Sequence, residues 1–210
     1  MRNKLKIAYI INHLSFFCSH ILPLAEEAKK KGFIVHIFCG TGGSKKMEKQ
    51  ALKIIKKKKF RFSKFNFQPG AGQLLNEFNN IIKLLYRVYL FRPDLVHGIT
   101  MKAIIISCLY SIIFRPKKLI LFITGMGYFF TNKLNFFDKI IKFFILKIIK
   151  FTLYLKKSIL IPENKDDLNF FINKKKIKIV KILKISGVGV SLKKFNYFKK
   201  KKKKYCLISG

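Results

Sequence analysis

Residues 6–39, KIAYIINHLSFFCSHILPLAEEAKKKGFIVHIFC, read as a strand, a polar loop, a helix and a second strand. Residues 6–11 are an Ile-rich apolar run of strand length that stops at Asn12 and His13. Ser19 stands where an N-cap belongs, and Ile21, Leu22, Leu24, Ala25 and Ala28 follow at helical spacing. Pro23 falls in the first turn, whose amides have no partner within the helix. Lys29, Lys30 and Lys31 suit the negative end of the helix dipole, and Gly32 can close the helix in the left-handed conformation. Residues 33–39 are apolar except for His36, which reads as a core residue with a partner. A strand buried on both faces belongs to a parallel sheet covered by helices. The chain therefore opens as a βαβ unit, with a polar loop at the carboxyl end of its first strand. Ligands bind at that place in open α/β sheets.

The alternation continues. GTGGS at 40–44 lacks both the full glycine fingerprint and a GK[ST] ending, so it reads as a turn and not as a phosphate loop. Helices are expected over 47–58, 74–91 and 100–114, an extended segment over 60–67, and strands over 94–97 and 119–123. The loop TGMGY (124–128) precedes a long helix at 136–157 and further strands at 158–162 and 178–185. This order predicts a Rossmann-like, doubly wound α/β domain over residues 1–195 with a mainly parallel sheet. Six lysines at 199–204 then lead to an apolar stretch at 205–209. Residues 196–210 thus read as a basic linker and the first strand of a second domain.

The formal net charge is +36. Such a charge suits an anionic partner, a lipid surface or a phosphorylated substrate. Arginine, however, occurs only as Arg2, Arg61, Arg87, Arg92 and Arg115. The bidentate fork that reads phosphates and bases is therefore scarce, and nucleic acid is not expected as a partner. Lys, Ile, Phe and Asn also share A- and T-rich codons, so part of the lysine excess follows from coding bias. Cys18, Cys39, Cys108 and Cys206 have no paired spacing and read as small core residues, with no metal site expected. On the helix at 136–157, Lys139, Lys142, Lys147, Lys150 and Lys157 occupy one half of the wheel. Ile140, Ile141, Phe144, Ile148, Phe151 and Leu155 occupy the other. Two readings stay open: a face for an anionic membrane surface, or an ordinary sheet-covering helix with a solvated lysine side.

Four blocks carry a family resemblance. FFCSHILPLA (16–25) resembles FFxSHRLPLA, and RPDLVHGITMKA (92–103) resembles PDxVHxxTxKP. TGMGYFFT (124–131) resembles TGLGYxFT, and GVGVSLKKF (187–195) resembles GSGVDxxxF. PENKDD (162–167) stands where QNPDD is usual. In this order the blocks resemble family 4 of the retaining glycosyltransferases, which have two Rossmann-like domains in the GT-B architecture. The most similar branch builds bacterial surface polysaccharides on lipid-diphosphate-linked sugars.

The resemblance implies an acceptor site built from Asn12, His13, Ser19, His20, His97, Thr100, Lys102, Thr124, Gly125 and Gly127. These groups can bind sugar hydroxyls and, through Lys102 and a helix N-terminus, a diphosphate. No catalytic residue is assigned. The implied partners are a polyprenyl-diphosphate-linked sugar, an anionic membrane surface met by Lys139, Lys142, Lys147 and Lys150, and a separate donor-domain chain. No cofactor is implied, the nucleotide sugar being the donor substrate. The implied place is cytoplasmic, peripheral at the inner face of the cytoplasmic membrane. In the family a paired-glutamate motif, E-x7-E, lies in the second domain, whereas no glutamate follows Glu163 here. The chain therefore reads as the acceptor-binding half of a transferase, inactive alone. A non-catalytic basic protein that binds membranes or polyanions is the alternative.

Overall fold

The computed structural model describes residues 4–40, 42–66, 74–125, 136–155, 158–171 and 182–183. The strands are β1 (Lys6–Ile11), β2 (Ile34–Gly40), β3 (Arg61–Phe65), β4 (Leu95–Ile99), β5 (Lys118–Ile123) and β6 (Ser158–Pro162). They form one parallel sheet in the order β3-β2-β1-β4-β5-β6. This is the doubly wound Rossmann-like α/β fold that the alternation predicts. The strand order reverses direction at β1, whose neighbours are β2 and β4. The crevice beside such a reversal is the usual ligand position.

Helices cover both faces. On one side lie α1 (Leu14–Phe16), a π-helical turn at Phe17–Ile21, α2 (Leu22–Lys30) and α3 (Lys45–Lys57). Leu14, Phe17, Ile21, Ala25, Ala51 and Ile55 pack there on Tyr9, Ile11 and Ile37. On the other side lie α4 (Leu74–Phe91), α5 (Met101–Phe114) and α6 (Phe136–Tyr154). A short helix, α7 (Lys165–Asn169), follows β6; its N-cap Asn164 accepts a hydrogen bond from the Asp167 amide at 2.7 Å. Helix α5 is apolar nearly all round because α4 and α6 flank it. Gly98 lets it lie close to β4: a Cβ there would stand 2.9 Å from Ser107 Cβ and 3.2 Å from the Ala103 carbonyl.

Two local expectations change. Ser19 is not an N-cap, since the helix already starts at Leu14 and Ser19 lies inside the π-helical turn. That turn reconciles Pro23 with a continuous helix. Proline cannot donate to the carbonyl one turn back and its ring crowds it, so the wider turn just before relieves both problems. Strand β4 runs to Ile99 and does not end at His97, which places His97 in mid-strand. Gly32 does take the left-handed conformation, at φ +86°. His36 is partly buried, stacked on Phe38 and bonded to Ser63 Oγ at 2.9 Å. Cys39 and Cys108 are buried and Cys18 partly so, all three as free thiols.

The strand expected at 178–185 is represented by Ile182, which bridges Leu160 in parallel. The rest of that segment, Gly127, and the expectations for 187–195, 199–204 and 205–209 lie outside the described residues.

Candidate functional site at the carboxyl edge of the sheet

Because all six strands are parallel, the loops that follow them leave from one edge. Ile11 pairs with Ile99 and Ile99 with Phe122. Asn12 and Thr100 therefore leave adjacent strands side by side, about 5 Å apart by sheet geometry. Thr124 and Gly125 leave the next strand over.

The first loop is tied down from outside. His13 donates from Nδ1 to the Gly42 carbonyl. A carbonyl can only accept, so the proton is on Nδ1, and in the neutral ring Nε2 carries the lone pair. Glu48, buried in the first turn of α3, accepts from the Leu14 amide at 3.2 Å and the Ser15 amide at 2.9 Å. It also accepts from Ser15 Oγ at 2.6 Å. One carboxylate thus caps the helix that opens beyond His13, where both its charge and its lone pairs match the free amides. Gly43, at φ +113°, supplies a backbone turn that L side chains rarely adopt, beside His13 and Glu48. Gly42 and Gly43 therefore help to hold the first loop.

The centre of the edge is different. Asn12 Oδ1 and Thr100 Oγ1 are buried and have no hydrogen-bond partner among the described residues. Thr100 also holds φ +75° and ψ 151°, a region that is essentially glycine-only. It precedes α5 without capping it through its side chain. The first amides of α5 therefore point toward the same edge without a side-chain acceptor from that residue. Lys102 is partly buried in this first turn. Thr124 and Gly125 are partly buried, and Gly125, at φ +120°, has open space where a Cβ would be. Together these groups offer acceptors, a hydroxyl and backbone amides, the set needed to hold sugar hydroxyls and an anionic linkage.

The other expected residues lie elsewhere. His97 is the third residue of β4, closed in by Tyr9 at 5.3 Å and Phe122 at 6.3 Å between ring centres. Burial lowers its pKa to about 3, so it is neutral, and its Nε2 has no partner among the described residues. Ser19 and His20 are exposed on the helix, His20 about 9 Å along the axis from Leu14. Ser19 Oγ lies 2.6 Å from His20 Nδ1, and the His20 ring stacks on Phe16 at 4.1 Å. Asn12, His13, Thr100, Thr124 and Gly125 are thus brought to one edge. His97 is buried behind it, and Ser19 and His20 stand to one side.

Glu48 was not among the expected residues. Its signal lies in the spacing: Glu48, Ala51 and Ile55 follow at i, i+3 and i+7, which puts one of only five glutamates on the inward face of a helix.

A hollow of about 410 Å³ lies at the opposite, amino edge, lined by Lys4, Lys6, Arg92, Asp94 and Lys117 among others. Its one carboxylate is already engaged, accepting from the Lys6 amide at 2.8 Å and pairing with Lys117 at 2.7 Å. We therefore place the site by its unpaired groups and not by that hollow.

Comparison with known proteins agrees with this fold. The glycosyl transferase 4-like family matches residues 6–163. A sucrose-phosphate synthase structure from Thermosynechococcus elongatus aligns with a TM-score of 0.51 at 12% identity, covering 86% of this chain and 87% of that one. UGT89C1 of Arabidopsis thaliana, solved with UDP-L-rhamnose, aligns with a TM-score of 0.51 at 13% identity. That alignment covers 90% of this chain but 50% of the plant protein. At such identities the structures speak for the fold alone. No curated protein matches significantly. The family match takes in β1 through β6 with the loops of the carboxyl edge, and the chain belongs to the glycosyl transferase 4-like family.

Proposed function

We propose that this domain is the acceptor-binding half of a retaining glycosyltransferase that adds a sugar from a nucleotide sugar to a lipid-linked saccharide. The observation that carries the reading is the pair of buried, unpaired groups, Asn12 Oδ1 and Thr100 Oγ1, at the reversal of strand order. A buried polar group without a partner costs about 1–3 kcal/mol, which a ligand hydroxyl would recover on binding. The acceptor loops FFCSHILPLA, RPDLVHGITMKA and TGMGYFFT support a lipid-diphosphate sugar as that ligand, and with it a role in surface-polysaccharide synthesis. The donor is held by a second domain, on the same or on a separate chain. Transfer requires donor diphosphate and acceptor hydroxyl to be fixed together between the two halves. The acceptor's lipid places the domain at the inner face of the cytoplasmic membrane. Lysines near an anionic surface gain about 1 kcal/mol each, and Lys139, Lys142, Lys147 and Lys150 on α6 are the candidates. No described helix is long and apolar enough to cross a membrane.

Calorimetry with a short-chain prenyl-diphosphate sugar tests this reading. Asn12→Ala and Thr100→Ala should each weaken binding about tenfold, one lost buried hydrogen bond being worth about 1.4 kcal/mol. Residues 1–210 alone should show no turnover with UDP-sugars. Tight binding that ignores both substitutions, or transfer by these residues alone, would overturn the proposal.

A further inference from the structure

The two faces of the domain differ in what they show to water. Of 19 exposed large apolar side chains among the described residues, 14 lie on α4, α5 and α6, against three on α2 and α3. On α4 they form a stripe, Phe78, Ile82, Tyr86 and Leu90, at i+4 spacing, opposite the buried Leu84 and Val88. The helix is thus apolar on both sides. Tyr89 continues the stripe to the end of α5, its ring 4.9 Å from that of Phe114. On α6 the inward positions are Ile145, Ile149 and Leu153, so the Phe-rich half of the wheel faces out. Phe136 is 72% exposed and Phe144 60%. Exposed cations sit among these residues: Lys83 and Arg87 on α4, Lys139 and Lys147 on α6. Lys147 lies with its ammonium 5.2 Å from the Phe143 ring centre.

We infer that α4, the end of α5 and α6 together form one docking plate for an anionic lipid bilayer, with the α4 stripe as a second anchor beside α6. The inference rests on the peripheral location proposed above and adds where, and through which residues, the bilayer is met. An apolar surface of this extent on a soluble face marks an interaction site. Charge selects the occupant. A second copy would bring another chain of net charge +36 against the first, and repulsion at contact range is little screened. Aromatic residues interleaved with lysine are instead the composition of helices that lie in a lipid interface, with apolar side chains in the acyl boundary and ammonium groups at the phosphates. The opposite face serves as a control within the same molecule. Helix α3 carries at least as many exposed lysines, Lys45, Lys46, Lys49, Lys53, Lys56 and Lys57, but no comparable apolar stripe. Charge alone would let either face bind, whereas insertion is confined to α4 and α6.

The chain has no tryptophan, so a single one reports its own position. Tyr86→Trp, Phe144→Trp and, on α3, Met47→Trp occupy exposed sites and leave the core untouched. With vesicles of phosphatidylglycerol and phosphatidylcholine, the tryptophan emission at positions 86 and 144 should shift to the blue and be quenched by brominated lipid. Emission at position 47 should not change. Combined Phe78→Ser, Tyr86→Ser and Leu90→Ser should lower partitioning about tenfold or more, with circular dichroism unchanged. A shift at 144 but none at 86 would remove α4 from the surface and leave the peripheral location standing. No sedimentation with anionic vesicles would remove both. A shift at 47, or a stable dimer that buries position 86 without lipid, would overturn the inference.

Discussion

The two edges of the sheet are built on opposite terms. At the amino edge, α2, α3, α4 and α5 all end, and each end is closed by a left-handed residue: Gly32, Lys59, Arg92 and Arg115. Three of the four are not glycine and bear about 1–2 kcal/mol of strain each. Their charge at a helix C-terminus offsets part of it, about 0.3–1 kcal/mol. Lys29 donates to the Lys58 and Lys59 carbonyls at 3.0 Å, Glu26 pairs with Lys58, and Asp94 with Lys117. Among the described residues, the carboxyl edge leaves Asn12 Oδ1 and Thr100 Oγ1 buried and unpaired, and Thr100 itself holds a glycine-only backbone conformation. The strain at the amino edge comes with bonds and charge complementarity inside the fold. Among the described residues the strain at the carboxyl edge does not, which is the ground on which a binding site is proposed there.

The comparison can be broken most sharply at Glu48. Glu48→Ala frees two amides and a hydroxyl, so it should cost about 3 kcal/mol in chemical denaturation. Glu48→Gln, which keeps an acceptor, should cost about half of that. Equal and small losses would show that the first loop does not depend on this carboxylate.

The histidines provide the next test. Burial lowers the pKa of His97 to about 3, and burial, with help from Arg61 and Arg87, lowers that of His36 to about 4. Both therefore bind a proton more readily unfolded than folded below pH 6.5, and stability should fall as the pH drops from there. The slope is up to about 1.4 kcal/mol per pH unit for each histidine. Denaturant midpoints measured from pH 7 to pH 5 should show it, and His97→Phe should remove about half. A flat profile would mean that these rings are open to water.

Thr100→Gly relieves the backbone strain and removes the unpaired hydroxyl, so it should raise stability by about 1–3 kcal/mol while weakening acceptor binding. Lys59→Gly and Arg92→Gly are the counterpart at the other edge. They should change stability by about 1 kcal/mol or less and leave acceptor binding as it was. If Arg92→Gly weakened binding and Thr100→Gly did not, the two edges would have been assigned in reverse.

The parallel sheet was legible because buried strands and amphipathic helices alternate with few exceptions, and the loop positions follow from that order alone. Asn12, His13, Thr100 and Gly125 are legible for a related reason, since each follows an expected strand or opens the helix after one. What escaped depended on contacts between distant segments. Ser19 has N-cap chemistry, but the Glu48 carboxylate, 34 residues from Leu14, moves the helix start upstream. The strand expected over 94–97 stops two residues short of the observed end of β4 at Ile99. Pairing with β1 and β5, and the close approach of α5 that Gly98 permits, extend the strand through Gly98 and Ile99. The Phe-rich side of α6 is legible in the sequence, yet only the packing shows that Ile145, Ile149 and Leu153 take the core and leave Phe143, Phe144 and Phe151 outside.

Backbone amide NMR of residues 1–210, titrated with a short-chain prenyl-diphosphate sugar, tests the central claim most directly. The account predicts saturable shifts at Asn12, His13, Thr100, Thr124 and Gly125, with Lys59, Arg92 and Arg115 unmoved. Shifts confined to the amino-edge hollow around Lys4, Arg92 and Lys117, or no saturable shift at the carboxyl edge, would contradict it.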